Sequence, residues 1–294
     1  MQTIKYFIIL SIIGFSFSSC ENFFETTLEL DPPPFEKKLV LIANLKTGSD
    51  DFQVYVTENF GILDDEQIPT LTDPKIEFTI NGQVYDDFFR TKEDNGFRFI
   101  FNLSNVDIKS GDVCKILVSH EGFPIATSAQ VVPPKVELTN IKYVENGGLD
   151  TEGSEKSKVD VSFSDPSGKN FYETVIKSNN PMSWYNYFYT RLNEPGAAEG
   201  INYYDVIFND LAFEGKQKDL SLLIDRTFES QAREFEIAVV WRSVTEDYYK
   251  YVRTANVYYD NNDNPFTTPA DVYTNVDGGL GIFYIVNEQE YLIF

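Results

Sequence analysis

From Lys37 onward the chain is cut into short runs rich in β-branched and aromatic residues, each bounded by turn residues. That spacing restricts it to a β architecture. The first set comprises Val40 to Asn44, Phe52 to Thr57, Lys75 to Ile80, Gln83 to Phe88, Phe97 to Leu103, Val113 to His120 and Ile125 to Val132. Asn81-Gly82 lies between two of these runs and reads as a type I′ hairpin, whose central residues both need φ > 0. Strands this short predict an immunoglobulin- or fibronectin-like sandwich over residues 37–133. Pro133-Pro134 closes it, because neither proline can donate to a ladder in a central strand.

A second set follows: Val159 to Phe163, Tyr172 to Ile176, Trp184 to Thr190, Tyr203 to Phe208, Leu220 to Ile224 and Glu234 to Trp241. It predicts a second sandwich within residues 134–294. One helix is expected, over about 245–258. Ser243 and Glu246 have capping-box spacing. Tyr248, Tyr251, Val252, Ala255, Tyr258 and Tyr259 recur at helical period, a stripe suited to packing on that sandwich. The expected fold is mainly β: two consecutive β-sandwich domains with one C-terminal helix packed on the second.

Residues 1–19 read as an address. Lys5 supplies a small positive region, and Tyr6 to Phe17 is an apolar stretch. At about 1.5 Å per residue such a stretch reaches roughly 18 Å, short of a hydrocarbon core of about 30 Å. It is therefore a cleavable secretory signal. Phe17-Ser18-Ser19-Cys20 resembles the lipobox of bacterial lipoproteins, with Phe17 where Leu is usual. The resemblance implies cleavage before Cys20 and acylation of that cysteine, a permanent anchor. Residues 20–36, with Pro32-Pro33-Pro34, read as an extended tether. Glu21 resembles the surface-export signal of Bacteroidota lipoproteins, with the periplasmic leaflet as the other destination.

Composition narrows the chemistry. There are 24 Lys+Arg against 46 Asp+Glu, a net charge of −22, which repels phosphate backbones and argues against a nucleic-acid partner. His120 is the single histidine, so no His-pair metal motif can form and a His-based triad has one candidate. Cys20 and Cys114 are too few for a disulfide framework, and Cys114 lies in an apolar run as an inert core thiol. No serine sits in a Gly-x-Ser-x-Gly elbow. Asp64-Asp65 and Asp86-Asp87 are adjacent pairs, which a strand turns to opposite faces. An enzyme is not expected, nor a cofactor or a bound metal. Asp260 to Asn264 lacks the Gly and distal Glu of an EF-hand loop and reads as a solvated turn. Gly278, Gly279 and Gly281 lack the Lys and following helix of a phosphate loop and read as close-packing positions.

The candidate binding surface is the run Trp184 to Arg191. Alternation puts Trp184, Asn186, Phe188 and Thr190 on one face, suited to the core. Tyr185, Tyr187, Tyr189 and Arg191 form the other face, amphipathic groups able to stack on and hydrogen-bond a glycan or peptide. The competing reading is a row covered by a neighbouring element, such as the tyrosine-rich helix.

After the helix come Asn264-Pro265-Phe266, Pro269, Asn275 and Gly278-Gly279-Leu280-Gly281-Ile282-Phe283. With Ser19-Cys20, Lys38-Leu39-Val40 and the Val132-Pro133-Pro134 junction, this ending resembles the Bacteroidota lipoprotein family catalogued as domain of unknown function 4249. The resemblance implies a lipid-anchored outer-membrane protein, often encoded beside a TonB-dependent transporter, and implies no reaction. The expected function is a non-enzymatic accessory or ligand-capturing partner of such a β-barrel at the cell surface. The alternative is a structural or adhesive spacer.

Overall fold

The computed structural model describes residues 35–61, 71–178, 187–192, 194, 196–201, 204–224, 236–262, 267–268 and 270–293. The signal, Cys20, nearly all of the tether, Asp64-Asp65, Trp184 to Asn186 and Asn264-Pro265-Phe266 lie outside these residues. Residues Lys37–Phe294 form one compact unit.

The first half contributes β1 (Leu39–Lys46), β2 (Asp51–Glu58), β3 (Lys75–Ile80), β4 (Gln83–Tyr85), β5 (Phe88–Glu93), β6 (Gly96–Asn102), β7 (Val113–Ser119) and β8 (Ala126–Val131). Then follow β9 (Leu138–Leu149), β10 (Glu155–Ser164), β11 (Phe171–Ser178), β12 (Tyr187–Phe188), β13 (Thr190–Leu192), β14 (Ala198–Glu199), β15 (Val206–Asn209), β16 (Gln217–Ile224) and β17 (Ile237–Val244). Helix α1 (Glu246–Asn262) and the long strand β18 (Leu280–Leu292) complete the set. The fold is mainly β and sandwich-like, with one C-terminal helix among the described residues.

Two sandwiches share a layer. A ten-stranded sheet runs β14-β15-β11-β17-β18-β1-β2-β6-β5, with β12 also paired to β11. A four-stranded sheet, β4-β3-β7-β8, closes over its first-half strands, and another, β13-β16-β10-β9, over its second-half strands. Phe52, Phe78, Phe101 and Cys114 are buried in the first core, and Phe163, Tyr172, Phe208 and Trp241 in the second. The joint is β18, which pairs parallel with β1 and antiparallel with β17. Its Phe283 and Ile285 belong to the first core, while Tyr291 packs against the second. The glycine-rich ending therefore opens a strand that crosses both halves.

Local chemistry explains the turns. Asn81 and Gly82 have φ of 51° and 82°, as the two-residue hairpin between β3 and β4 requires. Two expected strands are each divided between layers. The Gln83 to Phe88 run splits at Asp86-Asp87, with β4 in a small sheet and β5 in the large one. The Trp184 to Thr190 run switches sheets at Tyr189, where β12 gives way to β13. There the Thr190 hydroxyl donates to the Phe188 carbonyl at 3.0 Å and accepts from the Ile176 amide at 3.3 Å, holding the crossing inside the core.

The helix starts and ends differently from its sequence signals. Ser243 stays in β17, paired opposite Tyr172 and Asn287, so the capping box does not form and its Oγ has no partner among the described residues. Asp260 to Asn262 form the last helical turn rather than a loop. Tyr248, Val252 and Ala255 are buried, but Tyr258 and Tyr259 near the far end of the helix are exposed.

Candidate functional site

Of the predicted tyrosine row, Tyr187, Tyr189 and Arg191 fall within the described residues, while Tyr185 does not. Their alternation with the core holds. Phe188 and Thr190 are 8% and 2% exposed, against 45% for Tyr187. Tyr189 is half-buried and Arg191 exposed, with its guanidinium 5.1 Å from the centroid of the Tyr189 ring. The Tyr189 hydroxyl donates to the Glu199 carboxylate on β14, and that bond, with burial, pushes its phenol above the ordinary value.

Glu199 connects this row to the helix. Its backbone carbonyl accepts the Asn256 amide at 2.7 Å. Beside it lies a cleft of about 290 Å³, lined by Glu199, Arg253, Asn256, Val257, Tyr259 and Asp260 among others. Tyr259 is 61% exposed and meets the Tyr258 ring edge-on at 5.7 Å. Arg253 lies over the Tyr249 ring, 6.0 Å from its centroid, and Tyr249 in turn donates to the Gly196 carbonyl. The sequence pattern missed this cleft because it assigned Tyr258 and Tyr259 to the buried stripe. The available signal was the polar set Arg253, Asn256 and Asp260, which recurs at helical period beside them.

A charged ladder holds the helix beneath this face. Glu173 on β11, Arg242 on β17 and Glu288 on β18 stand opposite one another across neighbouring strands. Arg242 donates to Glu173 and to Glu288, each at 2.8 Å, and lies 3.3 Å from Asp205. Lys46 on β1 donates to Glu288 and extends the alternation of sign. Burial raises the Glu173 carboxyl despite the arginine, whereas Arg242, disfavoured by its own burial, is held above its ordinary value by the carboxylates. Tyr248 of α1 donates to Glu173 at 2.9 Å, and its ring stacks on Tyr284 at 4.2 Å. The helix is thus bonded to the sheet through two buried side chains, Tyr248 and Glu173.

The C-terminal motif has a packing geometry. Asn275 imitates a strand: its amide donates to the Phe283 carbonyl at 2.6 Å and its carbonyl accepts the Phe283 amide at 3.0 Å. Asp247 gathers this loop onto the helix start, accepting from Tyr273 at 2.6 Å, Gln130 at 2.7 Å and Asn275 at 3.1 Å. Burial would raise the Asp247 carboxyl, but these donors overcome it and hold it below its ordinary value. Gly278 and Gly281 have φ of 71° and 101°. A Cβ on Gly279 would lie 2.8 Å from the Leu39 oxygen.

The remaining titratable candidates lie elsewhere. Burial pushes the Cys114 thiol up to about 12, which suits an inert core position. His120 follows β7, and its Nε2 accepts the Thr72 amide at 3.3 Å.

Fold and site together define a mainly β, double-sandwich protein that displays an aromatic face beside its helix. The chain belongs to the family described as Domain of unknown function (DUF4249), whose model matches residues 25–291. A search of curated proteins finds no match.

Proposed function

We propose that this chain is a non-enzymatic lipoprotein of the outer membrane, anchored through Cys20 at the cell surface, which captures a ligand for a TonB-dependent transporter. The observation that carries the reading is the row of exposed Tyr187, half-buried Tyr189 and exposed Arg191, linked through Glu199 to the helix cleft. Aromatic groups with polar tips, set on strands and backed by a packed core, suit recognition rather than bond-breaking. The lipobox at Ser19-Cys20 supports the anchoring.

Cys20→Ala should shift the protein out of the membrane fraction and abolish incorporation of an acyl label. A variant still wholly membrane-bound with unchanged mobility would refute the anchor. Pull-down of tagged full-length protein from solubilised outer membranes should recover a β-barrel transporter. Recovery without any barrel, together with adhesion to host or matrix material, would replace this reading with that of an adhesive spacer.

A further inference from the structure

We propose that the cleft between α1 and β14 is a subsite for a neutral saccharide, which deepens and rests on the ligand-capture reading. A sugar presents an apolar face of C–H groups and a rim of hydroxyls. The cleft offers the complement of both. Tyr259 gives a ring open to stacking, and Val257, 49% exposed, adds apolar surface. Around them stand Arg253, Asn256, Glu199 and Asp260, a mixed set of donors and acceptors suited to hydroxyls. Two of these groups are oriented by other contacts: Asn256 by the Glu199 carbonyl and Arg253 by the Tyr249 ring. At about 290 Å³ the cleft lies at the lower end of ligand sites, which run from about 300 Å³, and admits a small ligand segment.

Charge and backbone geometry select among ligands. Glu199 and Asp260 outweigh Arg253, and the whole chain carries −22, so uronic acids and phosphorylated ligands are disfavoured. A peptide adding a strand would need the edge of the large sheet at β14. There the Asn256 side chain already takes the Glu199 carbonyl, and α1 flanks the edge. The observations therefore favour a sugar over an extended peptide.

The test uses the full-length protein in detergent micelles. The probes are maltohexaose, cellohexaose, xylohexaose and mannohexaose, with oligogalacturonate and a tryptic casein digest alongside, measured by calorimetry. At least one neutral oligosaccharide should bind. Tyr259→Ala should weaken it about tenfold or more without shifting the melting temperature, and Tyr259→Trp should retain it. Asn256→Ala should weaken it as well. Failure of all four neutral probes, binding of only oligogalacturonate or peptide, or binding unchanged in both alanine variants would overturn the proposal. Wild-type pull-down separates the two claims. A co-purifying transporter without sugar binding defeats the subsite alone, and sugar binding without a transporter defeats the partnership alone.

Discussion

Gly281→Ala places a methyl group where two strands meet. Gly281 has φ of 101°, a region that residues with a Cβ rarely adopt, and it stands opposite Leu41 in the parallel ladder between β18 and β1. The added Cβ would lie 2.0 Å from the Leu41 oxygen and 2.9 Å from its carbonyl carbon, both backbone atoms. Nor can the strand step aside, because Ile282 and Phe283 are 1% and 0% exposed. The left-handed conformation costs about 1–2 kcal/mol, and forcing packed strands apart about 1–3 kcal/mol more, so the loss should reach about 2–5 kcal/mol. For a unit of this size that lowers the melting temperature by roughly 4–20 °C.

Gly168 supplies the control. Its φ of 97° is nearly the same, but a Cβ there meets nothing within 4 Å. Gly168→Ala should therefore show the conformational cost alone, about 1–2 kcal/mol. Thermal unfolding of both variants, followed by near-ultraviolet circular dichroism, isolates the steric part as their difference. Equal melting temperatures would refute the claim that the glycine is needed for close approach of β18 to β1.

Three further outcomes follow from the same structure. In urea melts, Phe188→Ala should cost about 3–5 kcal/mol and Tyr187→Ala no more than about 0.5 kcal/mol, since adjacent residues face core and solvent. Asp247→Asn should cost about 1–3 kcal/mol at pH 7. Because the folded carboxyl is held below its ordinary 3.8, that contribution is complete above about pH 4 and lost as pH falls through the folded value, so the gap from wild type should narrow in acid. Arg242→Met should cost about 3–5 kcal/mol in urea melts by leaving Glu173 and Asp205 buried without their cation, and Glu173→Gln in that background should recover part of it.

Much of the fold was legible where the determining physics is local. Asn81-Gly82 fixed a hairpin through its own dihedrals, and Lys75 to Ile80 formed the strand its alternation predicts. The burial of Phe188 and Thr190 between Tyr187 and Arg191 also came from period-2 geometry. Strand β9 was missed because it is an edge: only Leu138 of its twelve residues is buried, so no apolar alternation marks it. The sheet switches at Asp86-Asp87 and Tyr189 were missed because a chain crossing between layers keeps strand-like residues on both sides. Likewise the helix stripe runs continuously through Tyr259, and nothing in the stripe records that Tyr258 and Tyr259 stay exposed while Tyr248, Val252 and Ala255 are buried.

The pairing of β18 with β1 was the least legible feature, and it organises the molecule. Lys46 and Glu288, bonded across it, are 242 residues apart in the chain. No window of sequence contains both partners, and the glycines that permit the approach resemble any turn. Remove β18 and the shared sheet divides between β17 and β1, leaving each sandwich with an open edge of buried-type residues such as Val239 and Leu41. Neither half can complete its layer until β18, more than 200 residues from β1, is in place. The same strand brings Glu288 to Arg242 and Tyr284 under Tyr248, and so seats the helix whose far end carries the cleft. The glycine-rich run thus acts at a distance, by fixing the strand on which the helix is seated.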